Sequence, residues 1–476
     1  MNKFFVKISV LSISLLTVMA SAAVSPALAK IKQAFPGADI TLIKLILTLP
    51  SLLIIPSSLV SGWLARRMNK KHVLLIGLVI YLLAGVAGGF AKSIPQLLII
   101  RALFGIGAGI IIPLSTSIIA DLYEGSERVK MMGYSGSVSH FGGVIFILIS
   151  GWLACISWRY SFFVYSLALL VVLMIVLWLP ELSSKKLSVS VKSKLPAGVY
   201  ICAILGVFMM ISFYAAPTNL AMFIESERQM YTSNAPLFKD REELLTHLAS
   251  GTVSEVTRKS FSDNGIALSS KAALSVIEPN NAWSITDRNR KYIVRKEQDR
   301  LVISTERLGR PGIAGYLLST MTLVGVVSGI VLAHLLRFLG PYCSSVGLAS
   351  MALGYGFLGL ANSLLMVLGG MLCIGFSSGV LMPLLLLKVA KITPEAQRAM
   401  AMAVFSIGIY LGQFLSPVAL KVAGSFSLFG QDVFRAQFNF LCLGLAVSSI
   451  IGLVTAFMSP KNPNSQSSKP EGINIH

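Results

Sequence analysis

Twelve apolar runs, each long enough to cross a lipid bilayer as a helix, follow one another along this chain. About 20 predominantly apolar residues span the hydrocarbon. The runs fall at 4–28, 40–63, 73–91, 96–120, 132–154, 160–179, 197–224, 311–336, 343–361, 365–387, 399–421 and 434–458. The 476 residues are 55% hydrophobic and 13% charged, against about 25% charged in soluble domains. Such a chain cannot cover itself with polar surface. The sequence therefore predicts an all-α membrane protein whose partner is the lipid bilayer. A net charge of +20 would suggest nucleic acid in a soluble protein. Here the basic residues sit in short loops between apolar runs, so no nucleic-acid partner is expected.

The first run, MNKFFVKISVLSISLLTVMASAAVSPALA, has a basic start, an apolar centre and an Ala-x-Ala ending at Ala29. A secretory signal peptide has the same features. A retained first helix is expected instead, because the internal symmetry described next requires one.

Two stretches, AKSIPQLLIIRALFGIGAGIIIP and ANSLLMVLGGMLCIGFSSGVLMP, match at a shift of 270 residues. Ala91, Ser93, Gly105, Gly109 and Pro113 meet Ala361, Ser363, Gly375, Gly379 and Pro383. Arg128 meets Arg398, and Ser61–Gly62 meets Ser328–Gly329 at a shift of 267. Earlier in the halves, Pro26 meets Pro217 at a shift of only 191. The difference is close to the length of the hydrophilic segment at 225–310. The reading is two six-run halves, 1–180 and 197–224 plus 311–458, with a linker at 181–196, an insertion at 225–310 and a disordered tail at 459–476. Within the insertion, KDREELLTHLASG and SEVTRKSF have helical spacing. WSITDRNRKYIVRKEQDRLVIS reads as three strands with tight polar turns. A small α+β domain is expected there.

Lysine and arginine set the orientation. With the amino terminus in the cytoplasm, 18 basic residues outside the insertion fall inside and seven outside, Lys44, Arg159 and Arg435 among the seven. Both termini are thus expected in the cytoplasm and the insertion beyond it. The densest cluster is Arg66, Arg67, Lys70 and Lys71, between the second and third runs.

Twelve helices in two repeats with a basic loop after the second resemble the major facilitator superfamily. ASAAVSPALAKIKQAFP, TLPSLLIIPSSLVSGWL and PTNLAMFIE look most like its bacterial drug–proton antiporter branch. The resemblance implies a monomeric secondary transporter of the cell membrane, not an enzyme, without cofactor or metal. It would move a small molecule by alternating access, with protons as coupling ion.

The family's loop pattern G-x-L-A-D-R-x-G-R-K is matched by Gly62, Leu64, Ala65, Arg67, Lys70 and Lys71, with Arg66 in place of the aspartate. The resemblance makes this loop a conformational latch between halves; the bare charge makes it a topology signal. RALFGIGAG matches R-x-x-x-G-x-G, which implies a coupling or anion-holding role for Arg101. The alternative is an arginine snorkelling to the near interface. Gly105, Gly109, Gly375 and Gly379 give small-residue faces for close helix packing. The antiporter motif of the fifth run keeps Trp158, Arg159 and Phe162 but has Ile147 at its proline position.

Outside the insertion no carboxylate stands mid-run. His140 is left as an intramembrane group that could carry protons or bind substrate, or simply bond between helices. Tyr214, Asn219, Tyr410 and Gln413 are polar groups in apolar runs, either contacts for a substrate or interhelical bonds. Three functions stay open. They are proton-coupled efflux of a lipophilic compound, uptake or uniport of a polar or anionic solute, and a non-transport scaffold for a sensing insertion.

Overall fold

The computed structural model describes residues 3–181, 195–225, 228–232, 253, 255–263, 268, 272–278, 282–287, 290–297, 300–305, 311–361, 363–394, 397–425 and 433–458. The tail at 459–476, most of the 181–196 linker and the KDREELLTHLASG stretch lie outside these residues.

Helices occupy every apolar run. The first half holds α1 (Lys3–Ala22), α2 (Leu28–Ala34), α3 (Ile40–Leu64), α4 (Lys70–Ala87), α5 (Ile94–Leu122), α6 (Gly125–Ile156) and α7 (Ala168–Trp178). The second begins with α8 (Ala197–Glu225) and, after a short helix α9 (Glu255–Asp263) in the insertion, resumes with α10 (Pro311–Leu339), α11 (Cys343–Leu360), α12 (Leu364–Ile392), α13 (Arg398–Ser425) and α14 (Val433–Met458). Among the described residues ten helical stretches are long and apolar enough to span a membrane, and one of them, 311–360, comprises both α10 and α11. The first run differs from expectation. It breaks after Ala22 into a turn and a 3-10 segment, Ser25–Ala27, before α2. Pro26 sits in that break, whereas its repeat partner Pro217 lies inside the continuous α8.

The repeat reappears as bonds. Ser93 accepts the N–H of Gln96 and caps α5; Ser363 accepts the N–H of Met366 and caps α12. A serine there satisfies one of the orphan donors of a helix start. Tyr81 and Tyr355, both fully buried, donate to carbonyls on the first helix of their own half, Leu16 at 3.1 Å and Ser212. The glycine faces pack helix on helix. A Cβ on Gly105 would lie 2.6 Å from the Pro50 carbonyl of α3, and one on Gly109 would lie 2.7 Å from Ser57. Gly375 and Gly379 would collide likewise with Met321 and Gly325 of α10. Without side chains the axes approach closely enough for van der Waals packing, which drives association in lipid.

The insertion carries a five-stranded antiparallel sheet in the order β1-β5-β4-β3-β2. The strands are β1 (Arg228–Thr232), β2 (Ala273–Glu278), β3 (Ala282–Asp287), β4 (Arg290–Glu297) and β5 (Arg300–Thr305). The last three are those legible in the sequence; β1 and β2 were not. Phe261 of α9 packs with Trp283, Ile285, Tyr292 and Val294 in a small core of its own. Alternation puts Trp283 and Ile285 on one face, with Val294 and Tyr292 opposite them across the β3–β4 pair.

Candidate functional site

The two halves meet along a seam, and the chemistry concentrates there. Helices α3, α6, α8, α10, α13 and α14 contribute its walls. Take first the end of the bundle at which α3 begins. Asp39 caps α3 by accepting the Thr41 N–H at 2.6 Å, and its other oxygen takes Lys421 of α13 at 3.1 Å. These bonds hold the Asp39 carboxyl well below the usual range, at about 2, the Thr41 bonds first and Lys421 next. Ser25 donates to the Pro217 carbonyl across the seam.

One turn deeper lies a buried polar cluster. Lys44 Nζ is 3.3 Å from Gln437 Oε1 and 5.4 Å from the centre of the Phe434 ring, both on α14. Asn219 of α8 donates to the same Gln437 oxygen at 3.0 Å. Lys44, Gln437 and Asn219 are all sealed from solvent. Still deeper, Ser51 of α3 donates to Gln413 of α13 at 2.7 Å.

On the other side of the seam α6 meets α10. Gly151 and Gly315 face each other; a Cβ on Gly151 would lie 2.9 Å from the Gly315 Cα. Ser319 of α10 donates to the Val144 carbonyl of α6 at 3.1 Å. Toward the Lys70 end this α6 face carries Gly133, Gly136, Ser137 and His140, all exposed. A Cβ on Gly133 or Gly136 would meet nothing within 4 Å. The same helical face is therefore covered by α10 at 144–151 and open at 133–140. His140 stands one turn below the last contact. Tyr410, half-buried, stands one turn below Gln413 on α13. The seam is shut at the Asp39 end and open below Val144 and Gln413.

The candidates read from sequence divide accordingly. Gln413, Tyr410 and His140 lie along the seam. Tyr214 is buried in the core of the second half and stacks edge-on with Phe213. Asn219 makes an interhelical bond to Gln437. Arg101 departs from the snorkelling reading. It neither snorkels nor faces the seam. It is 1% exposed, donates to Ile46 O at 2.8 Å and Tyr165 Oη at 3.2 Å, and lies over the Phe104 ring at 4.4 Å, all within the first half. The guanidinium satisfies a buried carbonyl between α3, α5 and the 3-10 segment Tyr160–Leu167.

Lys70, Lys71 and Arg67 of the basic loop make contacts within their own half. Lys70 bonds Ser117 and Asp121 of α5 at 2.8 and 2.6 Å. Lys71 donates to the carbonyls of Val176 and Leu179 at 3.1 and 2.6 Å, completing the end of α7. A cation there complements the helix dipole. Arg67 stacks on Trp63 at 4.1 Å, and Arg66 is exposed. A Cβ on Gly62 would meet nothing within 4 Å, so no close approach demands glycine there. Leu64 ends α3.

Three features escaped sequence reading. Lys44, one of the seven outward-side cations, is buried in the seam. The Gly151–Gly315 crossing has no partner in the repeat alignment. Arg159, a motif residue and topology charge, and Arg435, a topology charge, both bond carbonyls of their own half. Arg159 donates to Gly89 O and Ala91 O, both at 2.9 Å, and Arg435 to Ala361 O at 2.7 Å. Ala91 and Ala361 are repeat mates. The signal was present in the chain: W-R-x-x-F at 158–162 recurs as F-R-x-x-F at 434–438.

The fold and its seam define a polytopic membrane protein of two pseudo-symmetric bundles. The sequence model of the Major Facilitator Superfamily matches residues 10–252 and 301–474, and the chain belongs to that family of transporters. The unmatched residues include β2, β3 and β4 of the insertion. Among curated relatives, the multidrug transporter protein MdtP of Bacillus subtilis is 33% identical over 106 residues, 22% of this chain and 20% of that protein. The quinolone resistance protein NorA of Staphylococcus aureus is 27% identical over 127 residues, 27% of this chain and 32% of that protein. The alignments thus span a fifth to a third of these relatives' own length. Among solved structures, a D-xylose-proton symporter matches with a TM-score of 0.62 at 15% identity, covering 95% of this chain and 97% of that one. The xylose transporter XylE from E. coli, in an inward open conformation, matches with 0.59 at 14% identity, covering 95% and 96%. These structures share the fold.

Proposed function

We propose that this protein is a secondary transporter of the cytoplasmic membrane that exports a small lipophilic compound in exchange for protons, acting as a monomer. The observation that carries the reading is the asymmetry of the seam. It is closed by Gly151–Gly315, Asp39–Lys421 and Lys44–Gln437 at one end, and open along Gly133–His140 at the other. With both termini in the cytoplasm, as the distribution of basic residues supports, this is an inward-open state. The insertion then lies outside. The names of the MdtP and NorA relatives support efflux of drug-like molecules. Tyr410, Gln413 and His140 are the groups a substrate in the opening would meet, and His140 is the group there suited to proton transfer.

A second reading, uptake or uniport of a polar or anionic solute, is favoured by the missing mid-span carboxylate and by the cation at Lys44. Inverted membrane vesicles with an imposed pH gradient separate the two. Ethidium accumulation that collapses with the gradient supports proton-driven efflux. Gradient-independent movement of an organic anion supports the second reading. No movement of any solute in either direction leaves the bundle a scaffold.

A further inference from the structure

Lys44 is 2% exposed, one turn inside the start of α3 at the seam. An ionisable residue buried within a spanning helix marks a functional site by default. Among the described residues it forms no ion pair. Its acceptor is a neutral amide, Gln437, aided by the face of Phe434. The charged groups on neighbouring elements are committed elsewhere. Asp39 takes Thr41 and Lys421, Arg101 takes Ile46 and Tyr165, and Arg435 takes Ala361. Glu225 is buried at the end of α8 with contacts of its own.

The cluster is also unsaturated. Asn219 is 0% exposed and gives its amide N–H to Gln437, while its Oδ1 finds no hydrogen bond. A buried acceptor left so is destabilising until it finds a donor. When the halves part at this end, Gln437 and Phe434 leave with the second half. Lys44 then faces water with no carboxylate bonded to it, and Asn219, which moves with Gln437, presents its unbonded Oδ1 to the opening.

We infer that Lys44, with Gln437 and Asn219, is a binding subsite for a small organic carboxylate that also carries a hydrogen-bond donor. The carboxylate pairs with the Lys44 ammonium. The donor meets Asn219 Oδ1. Such a ligand binds only the form open at the Asp39 end, so it draws the two-state equilibrium toward that form. The inference rests on the alternating-access reading and adds a ligand class to it.

The test uses Ser319→Cys with the five native cysteines replaced. Ser319 is 4% exposed and bonded across the seam, so a thiol there reacts with a maleimide only when that end opens. Labelling of the purified full chain is followed with 4-hydroxybenzoate, benzamide or sodium chloride, at fixed pH and ionic strength. The expected result is that 4-hydroxybenzoate raises the labelling rate about tenfold and the other two do not. Lys44→Arg keeps the response and Lys44→Met loses it. Gln437→Glu places a counter-ion beside Lys44, so it lowers resting labelling and abolishes the response. This variant decides the matter if Lys44→Met fails to fold. A response shared by benzamide or chloride, or one retained in both Lys44→Met and Gln437→Glu, overturns the subsite. Labelling that occurs but ignores the carboxylate overturns the subsite alone. No labelling under any condition overturns the moving seam as well.

Discussion

Gly151 of α6 and Gly315 of α10 cross with no side chain between them. A Cβ on Gly315 would lie 3.1 Å from the Gly151 Cα and 3.1 Å from the Ile147 carbonyl. The obstructing atoms are backbone and cannot rotate away. Gly151→Leu must therefore push the halves apart at the Asp39 end. Overpacking costs about 1–3 kcal/mol, enough to move a two-state population about 5- to 150-fold. The expected outcome is a folded bundle with faster maleimide labelling of Ser319→Cys and at least about tenfold slower transport in vesicles.

Arg159 and Arg435 hold equivalent turns in the two halves through charge-assisted bonds to carbonyls. Such a bond contributes about 1.5–3 kcal/mol. Arg159→Gln and Arg435→Gln each lower thermal stability by about that amount. Because the sites lie in separate halves with no shared partner, the double variant falls by the sum, to within about 0.5 kcal/mol. Melting curves of the four proteins check this.

Asp39 joins the halves through Lys421, and its carboxyl is held at about 2 against an ordinary 3.8. Asp39→Asn retains an α3 cap and removes the charge pair. A depressed carboxylate stabilises the folded form above its unfolded value and loses that contribution as pH falls through its folded value. Both partners are largely exposed, so the pair is worth less than about 1 kcal/mol. The stability difference between wild type and variant is full above pH 3.8 and closes toward pH 2. Thermal melts across that range measure it.

The insertion leaves and re-enters at one place. Strands β1 and β5 are neighbours, with Arg228 paired to Thr305, while Glu225 ends α8 and Pro311 begins α10. Its core, Trp283 to Val294 with Phe261, is its own. Replacing 229–304 by a short Gly-Ser linker therefore leaves the bundle folded, with its melting temperature within a few degrees. Vesicle transport of the deleted form then reports whether the insertion acts on the substrate's path.

The helices were legible because a spanning segment must be apolar throughout, whatever it packs against. The repeat was legible where helix packing admits only a small residue, as at Gly105 and Gly375, or where a cap needs serine, as at Ser93 and Ser363. Strands β3 to β5 showed through alternation. Lys44 was not legible as a site. Its burial depends on Phe434 and Gln437, about 390 residues further along the chain, and charge counting treats any cation near the end of a run as a topology signal. Arg101 shows the complementary limit. Its motif matches the family, while its partners Ile46 and Tyr165 are visible only in the fold.

The central claim is that the halves rock about the seam, closed at one end when open at the other. Spin labels on two pairs test it most directly by pulsed electron resonance: Lys92 with Leu365 at the Asp39 end, and Met68 with Phe338 at the opposite end. All four positions are exposed. Each pair is predicted to show two distances, with the first pair lengthening as the second shortens when pH or substrate is changed. A single fixed distance in both pairs, or changes of the same sign, contradicts the account.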